Sequence, residues 1–138
     1  MKIRKLVAML LIASFVVITG CSKKAPEQAA VKNAQGVTDT EILVANSTAV
    51  SGAWATTGDP IVEGIKAYFN MVNTEGGIDG RKIKFLHVDD EFDAVKAKAA
   101  FEKFYEDDKV FAYVGAFGQN PVVAILDDLH ETGMPAVY

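Results

Sequence analysis

The strongest constraint on the fold is an alternation of two hydrophobic periodicities across residues 37–138. Short runs of branched apolar residues predict buried strands, whereas apolar residues that recur every three or four positions predict amphipathic helices. Each predicted helix ends near a glycine or a polar turn, as helices commonly do. The two kinds of segment alternate, with strands at residues 42–45, 83–88, 110–114 and 135–138 and helices at residues 59–75, 93–105 and 120–132.

This alternation predicts an α/β domain built on a parallel sheet with helices on both faces. For so short a unit, right-handed crossovers favour the flavodoxin-like strand order 2-1-3-4. The winding direction then reverses between strands 1 and 3, and ligands bind outside the carboxyl ends of the strands at this point. The loops at residues 46–59 and 115–120 should therefore form the binding crevice.

Both of these loops lead into a predicted helix that opens with a capping residue and a proline, Asp59-Pro60 and Asn120-Pro121. Proline suits the first helical position, where no amide donor is needed. Two helix N-termini are thus expected to face the crevice. Their free amides and positive dipole ends favour a carboxylate or another acceptor group.

The N-terminal residues predict an export signal. Lys2, Arg4 and Lys5 precede an apolar stretch at residues 6–18 that is interrupted only by Ser14. A positive start followed by a short apolar core is typical of a signal peptide. The alternative, a transmembrane anchor, requires about 20 apolar residues, so we assign residues 1–20 to a signal peptide.

The chain has one cysteine, Cys21, directly after Ile18, Thr19 and Gly20. This placement resembles the bacterial lipoprotein box, in which the cysteine is lipidated and becomes the first residue of the mature protein. A lone buried thiol is the alternative for a free cysteine, but its position at the end of the signal argues against it. We therefore expect an exported protein, anchored to the membrane through lipid on Cys21 and facing the periplasm or the cell exterior.

The chain after the signal is acidic. It carries 11 basic and 18 acidic residues, a net charge of −7, which disfavours binding to nucleic acid. Residues 21–36 are rich in lysine, alanine and glutamine and predict a flexible tether. Residues 37–138 then form the folded domain.

Three segments resemble the leucine-binding family of type I periplasmic binding proteins, which serve ABC importers of branched-chain amino acids, amides and related solutes. The first is residues 51–58, and the third is Val88, Asp89 and Asp90. The most specific segment, between them, is Glu75, Gly76, Gly77, Ile78, Asp79, Gly80 and Arg81. The glycines of that segment follow a helix, which indicates turns and not a phosphate-binding loop.

The resemblance implies that residues 37–138 are the first of two lobes that close over a small polar solute, with ABC permease subunits as partners and no cofactor or metal. First-lobe contacts in this family come from the loops after strands 1, 3 and 4. The matching ligand-binding positions in the first two loops are Ser51, Trp54, Thr57, Phe117, Gly118, Gln119 and Asn120.

Two of these positions leave questions that the sequence alone does not answer. Amino-acid-binding members of the family offer a serine or threonine hydroxyl to the ligand carboxylate, whereas Gln119 occupies that position here and argues against α-amino-acid specificity. Trp54 is equally compatible with a ligand-facing ring and with a packed anchor of its loop.

Other chemistry-bearing residues have simpler interpretations. Asp89, Asp90, Glu91 and Asp93 suggest a metal loop, but the spacing lacks the central glycine and the final glutamate of an EF-hand. A solvated loop with a helix cap is the better interpretation. His87 lies in a predicted strand and is expected to be a packed or half-exposed histidine.

Two other function classes were compared with transport binding. A ligand-sensing receptor shares the lobe architecture, but Cys21 favours a tethered binding protein. A phosphoacceptor enzyme needs an aspartate at the end of the third strand, where Ala116 stands, and the sequence contains no nucleophile elbow or Walker loop. The resemblance to two-lobe proteins also leads us to expect an N-terminal fragment of marginal stability, with at best millimolar affinity.

The lipid anchor gives the first prediction. Metabolic labelling with a fatty-acid analogue should mark the parent protein and should fail with Cys21→Ala, because only the thiol accepts the lipid. Ser22→Ala is the matched control and should label normally. Equal labelling of Cys21→Ala and the parent would contradict the lipoprotein assignment.

Overall fold

A computed structural model describes residues 33–138. Cys21, the signal peptide and most of the tether lie outside the described residues. The elements alternate along the chain as β1 (Glu41–Ser47), a short 3-10 helix (Gly52–Trp54), α1 (Ala55–Thr74), β2 (Lys82–Val88), α2 (Ala94–Glu106), β3 (Ala112–Val114), α3 (Gln119–Thr132) and β4 (Ala136–Val137).

The sheet is parallel throughout, in the order β2-β1-β3-β4, which confirms the predicted topology. β1 is an inner strand and pairs with β2 over its full length, from Glu41 opposite Lys82 to Ser47 opposite Val88. The carboxyl ends of all four strands consequently lie at one edge of the sheet, as in other parallel α/β folds.

Helices cover both faces of the sheet. The main core packs Phe101 and Phe104 of α2 and Ile125 of α3 against Ala45 and Tyr113 of the sheet. On the opposite face, the ring of Phe69 in α1 meets that of Phe85 in β2 edge-on, with centroids 5.7 Å apart. Successive side chains of a strand point to opposite faces, so β2 contributes to both layers.

The predicted start of the first helix is wrong. α1 begins at Ala55, and Pro60 lies inside it. The 3-10 helix leads the chain directly into α1, since the Ala55 amide donates to the carbonyl of Gly52. Gly58, buried in this first part of α1, packs so closely on the backbone of Ala49 that a side chain would collide with it. That packing, and not a cap at Asp59, sets the beginning of the helix.

The predicted cap of the third helix is also wrong. α3 begins at Gln119, its N-cap residue is Gly118, and Pro121 occupies the first turn, where its missing amide costs nothing. Gly118 has a φ of 99°, a conformation that glycine adopts without strain. The predicted ends of these two helices are confirmed. α3 ends at Thr132, and Gly133 follows it with a φ of 66°. α1 ends at Thr74, two residues before Gly76.

Residues 34–36 pack against the amino ends of the strands. The Gln35 side-chain amide donates to the carbonyl of Val110 at 3.3 Å, and the Leu43 amide donates to the carbonyl of Gly36 at 2.8 Å. A side chain at Gly36 would collide with the backbone at Phe111. The packed region thus includes the last residues of the segment that the sequence assigns to the tether.

Within the described residues, none of the helices is both long enough and apolar enough to span a bilayer.

The turn between α1 and β2 provides a stability prediction. Gly77 and Gly80 have nearly equal φ values of 83° and 81°, but only at Gly77 would a methyl group collide with the backbone, at the carbonyl of Arg81. Both alanine variants should lose about 1 kcal/mol from the left-handed backbone. Gly77→Ala should lose at least about 1 kcal/mol more, because its clash forces the turn to shift.

Urea unfolding followed by circular dichroism measures both losses, and Gly80→Ala serves as the control for backbone conformation alone. Equal midpoints for the two variants would show that the turn is not packed as described.

Candidate functional site

Three loops meet at the carboxyl edge of the sheet. They follow β1, β2 and β3, and each leads into the next helix of the chain. Trp54 comes from the first loop, Phe92 from the second and Phe117 from the third. The structure thus brings Trp54 and Phe117 of the predicted crevice into direct contact, and it adds Phe92 of the second loop, which the sequence did not include.

The contact between the loops is aromatic. The ring of Trp54 stacks on that of Phe92, with centroids 4.6 Å apart and planes 18° from parallel. Phe117 meets both rings edge-on, at 6.0 Å from Trp54 and 5.7 Å from Phe92. These are favourable geometries for aromatic pairs. We call Trp54, Phe92 and Phe117 the aromatic cluster.

Phe92 holds its place on a strained backbone. Glu91 and Phe92 have φ values of 52° and 64°, and bulky residues rarely adopt this left-handed conformation. The Asp90 Oδ1 atom accepts a hydrogen bond from the Phe92 amide at 2.9 Å. The ring of Phe92 also lies where a side chain on Gly118 would be, so the second loop is fitted tightly against the third.

Asp89 fastens the first loop to the second. Its Oδ1 atom accepts hydrogen bonds from the amides of Val50 and Glu91, both at 3.0 Å. Partial burial by itself would raise the pKa of Asp89, but hydrogen bonds to the carboxylate outweigh it and lower the pKa below its ordinary value of 3.8.

The three helix N-termini at this edge differ in one respect. Asp93 caps α2, because its side chain accepts from the amides of Val95 and Lys96, each at 2.9 Å, as the sequence predicted. In the described structure, neither Trp54 at the N-cap of α1 nor Gly118 at that of α3 provides a side-chain cap. The first amides of α3 are therefore left for other acceptors, whereas the Ala55 amide at the start of α1 already donates to the carbonyl of Gly52.

The remaining predicted site residues are exposed around the cluster. Thr57 is exposed in the first turn of α1. Gln119 and Asn120 line a shallow depression of about 280 Å³ between the starts of α2 and α3, together with Ala94. They lie at the same edge as the aromatic cluster. The role of all these residues in ligand binding stays a prediction.

A buried polar network lies beneath the loops. The Asn46 Nδ2 atom donates to the Gly115 carbonyl and to the Thr48 hydroxyl, both at 3.2 Å. These bonds fix the orientation of the amide, so its Oδ1 atom accepts a hydrogen bond from His87 Nδ1, at 2.8 Å. Burial, helped by the charge of Lys66, lowers the pKa of His87. His87 is therefore neutral, half-buried and packed, as predicted.

Tyr113 joins the network from β3. Its hydroxyl lies 2.7 Å from Ser47 Oγ and accepts from the Ser47 amide at 2.9 Å, and burial raises its pKa. Asp90 is fully buried nearby, and burial raises the pKa of its carboxyl group. Its Oδ2 atom has no hydrogen-bond partner among residues 33–138.

The acidic residues of the second loop thus serve the protein itself. Asp89 and Asp93 bind backbone amides, Asp90 is buried, and Glu91 pairs with Lys96 at 2.6 Å. Within residues 33–138, no cluster of three histidine, cysteine or acidic side chains is placed to hold a metal ion.

Comparison with known proteins identifies the family. A family model described as periplasmic binding protein matches residues 41–138. The chain belongs to this family. The resemblance to the leucine-binding type I proteins is confirmed, and membership of the family implies an extracytoplasmic location.

Individual similar proteins show the sequence identity and the share of each chain that matches. An amino acid binding protein of Pseudomonas aeruginosa is 30% identical over 87 residues, which are 63% of this chain and 23% of that protein. The structure of a fatty acid ABC transporter substrate-binding protein from Thermomonospora curvata is 28% identical, with a TM-score of 0.66, and the match covers 75% of this chain and 26% of that one.

A third similar protein is an ABC transporter solute binding protein from R. palustris, solved in complex with benzoate. It is 28% identical, with a TM-score of 0.62, and the match covers 70% of this chain and 27% of that one. The chain spans about a quarter of the length of these family members.

The hydrogen bonds that Asp89 accepts from the two loops predict a contribution to the free energy of unfolding that depends on pH. Asp89→Ala should lower the free energy of unfolding at pH 7 by about 1.5 kcal/mol, the lower end for bonds to a charged group, because Asp89 is partly exposed. Its pKa is lowered on folding, so this contribution is complete above the ordinary value of 3.8 and is lost as the pH falls through the folded value.

Urea unfolding at pH 7 and at pH 3 measures this difference, with Asp127→Ala on the exposed surface of α3 as the control. A loss that is the same at both pH values would show that the Asp89 charge does not hold the loops.

Proposed function

We propose that this chain is the first lobe of an extracytoplasmic solute-binding protein of an ABC importer, and that it binds the carboxylate of a small solute at the carboxyl edge of its sheet. The observation that carries the proposal is the contrast between the helix N-termini. α2 is capped by its own Asp93, and the Ala55 amide at the start of α1 is taken by the Gly52 carbonyl. By contrast α3, which begins two residues after Phe117, is not capped by the side chain of its N-cap residue.

A carboxylate fits this arrangement for electrostatic reasons. The first amides of a helix point along its axis and carry the positive end of the helix dipole. Gln119 and Asn120 add side-chain amide donors at the start of α3.

The ligands of the similar proteins support the same chemical class. Their descriptions name an amino acid, a fatty acid and benzoate. These solutes differ in size and polarity, but each carries a carboxylate on an organic group. That shared feature is what the N-terminus of α3 would bind, while the rest of the site would select the organic group.

The remaining parts of the proposal concern the whole protein. A second lobe would close over the solute, lipid on Cys21 would hold the protein at the membrane, and permease subunits would accept the solute. Closure matters because good pockets bury about 70 to 90% of a ligand. One lobe contacts a single side of it, so affinity for this chain should be millimolar or weaker.

Calorimetric titration into the millimolar range tests the carboxylate requirement. Isoleucine, octanoate and benzoate represent the class, and octanamide and benzamide are matched uncharged controls. We expect at least one carboxylate to bind, about tenfold or more tightly than its amide, because hydrogen bonds to a charged group are worth about 1.5 to 3 kcal/mol.

Gln119→Ala should weaken binding of that carboxylate about tenfold while leaving the unfolding midpoint unchanged. Asn70→Ala, which removes an exposed amide on α1, is the matched control and should bind normally. Equal binding of acid and amide, or full affinity in Gln119→Ala, would refute this site.

A further inference from the structure

The indole ring of Trp54 is covered on one side only. Phe92 stacks against one of its faces, and Phe117 packs at an edge. Even so, 46% of Trp54 is exposed. Leaving so much of a large apolar side chain in water forgoes the gain from burial, although its companions in the cluster are half-buried. The aromatic cluster is therefore packed on one face of the indole, and the other face is open to solvent.

Phe92 is the member of the aromatic cluster whose position is most constrained. Its left-handed backbone is unfavourable for a bulky residue, yet two interactions hold it there, the hydrogen bond from its amide to Asp90 Oδ1 and the close packing of its ring on Gly118. Residues held in strained conformations often occur at ligand sites. Here the strained conformation places the ring flat beneath Trp54.

The acidic side chains next to the aromatic cluster already have partners within the domain. Asp89 and Asp93 accept hydrogen bonds from backbone amides, and Glu91 pairs with Lys96. The open side of Trp54 thus offers an apolar, planar surface, while the donors for an anionic group lie at the start of α3, two residues after Phe117.

We infer that the aromatic cluster is a specificity subsite that stacks a planar aromatic group of the solute on Trp54, with Phe92 as the positioning residue that orients the indole. The inference rests on the proposed function, since it assumes that the carboxylate of the same solute is bound at the neighbouring N-terminus of α3. The substrate class is therefore a small aromatic carboxylate. A stacked aromatic pair gains more than area burial alone, which gives a planar ring an advantage over a saturated one.

The test compares benzoate with cyclohexanecarboxylate, which has the same carbon skeleton and charge but a puckered ring. Trp54 is the single tryptophan of the chain, so its fluorescence reports directly on the subsite. In the parent chain, benzoate should shift Trp54 emission and should bind about threefold to tenfold more tightly than cyclohexanecarboxylate, as expected for one aromatic stacking contact.

Phe92→Leu should abolish this preference while leaving the affinity for cyclohexanecarboxylate unchanged, and Phe92→Tyr should restore it, since tyrosine keeps the ring. A merely structural role would weaken both ligands together. Trp54→Leu, measured by calorimetry, should also lose the preference. Tyr68→Leu removes an aromatic ring that is 60% exposed on α1 and should change nothing.

The outcomes separate the two proposals. If both acids bind equally and both depend on Gln119, the carboxylate site stands and the aromatic subsite is refuted. If tetramethylammonium binds at Trp54 more tightly than benzoate, the indole is a cation site and the inference is also wrong. If none of the acids in either panel binds, the proposed function fails and the subsite fails with it.

Discussion

The hydrogen bonds at the buried carboxyl end of β1 hold the candidate site together. Asn46, Ser47 and Thr48 are almost fully inaccessible to solvent, and buried polar groups must find partners. Asn46 reaches His87 on one side and Gly115 on the other, while Ser47 bonds Tyr113. A shift in the register of either neighbouring strand would leave several of these groups unsatisfied. The three loops that begin at this edge start from fixed positions for that reason.

The loops use two kinds of contact above this network. Asp89 joins the first and second loops through a charge that accepts backbone amides, and the aromatic cluster joins all three through ring packing. The first depends on pH and the second does not. Much of the acidity of the second loop is thus engaged within the domain, and the negative net charge of the chain says little about what the site attracts.

The sequence predicted the order of the elements and the parallel topology, because both follow from hydrophobic periodicity and chain handedness. The sequence also predicted a cap for α2 among the acidic residues of its loop, and that cap is Asp93. It did not predict the starts of α1 and α3. At Asp59-Pro60 the local signal for a helix start is strong, but the 3-10 helix at Gly52–Trp54 already leads the chain into α1, and Gly58 packs on the backbone of Ala49.

Phe92 was missed for a related reason. It stands among acidic residues in a loop, where the sequence pattern predicts solvent exposure, and its ring is placed by a left-handed backbone that residue types other than glycine seldom reveal. Its neighbour Gly118 gave the available signal, since a glycine at a helix start can mark close approach of another group. Such approaches become visible only when the loops are assembled.

The packing of Gln35 and Gly36 at the amino edge has a mechanical consequence. Force applied to the domain at Asn33 would reach β1 through the Leu43–Gly36 hydrogen bond, which lies at the amino ends of the strands. The loops of the candidate site begin at the carboxyl ends of the same strands. A pull at the amino edge would therefore act on the paired strands before it reached those loops.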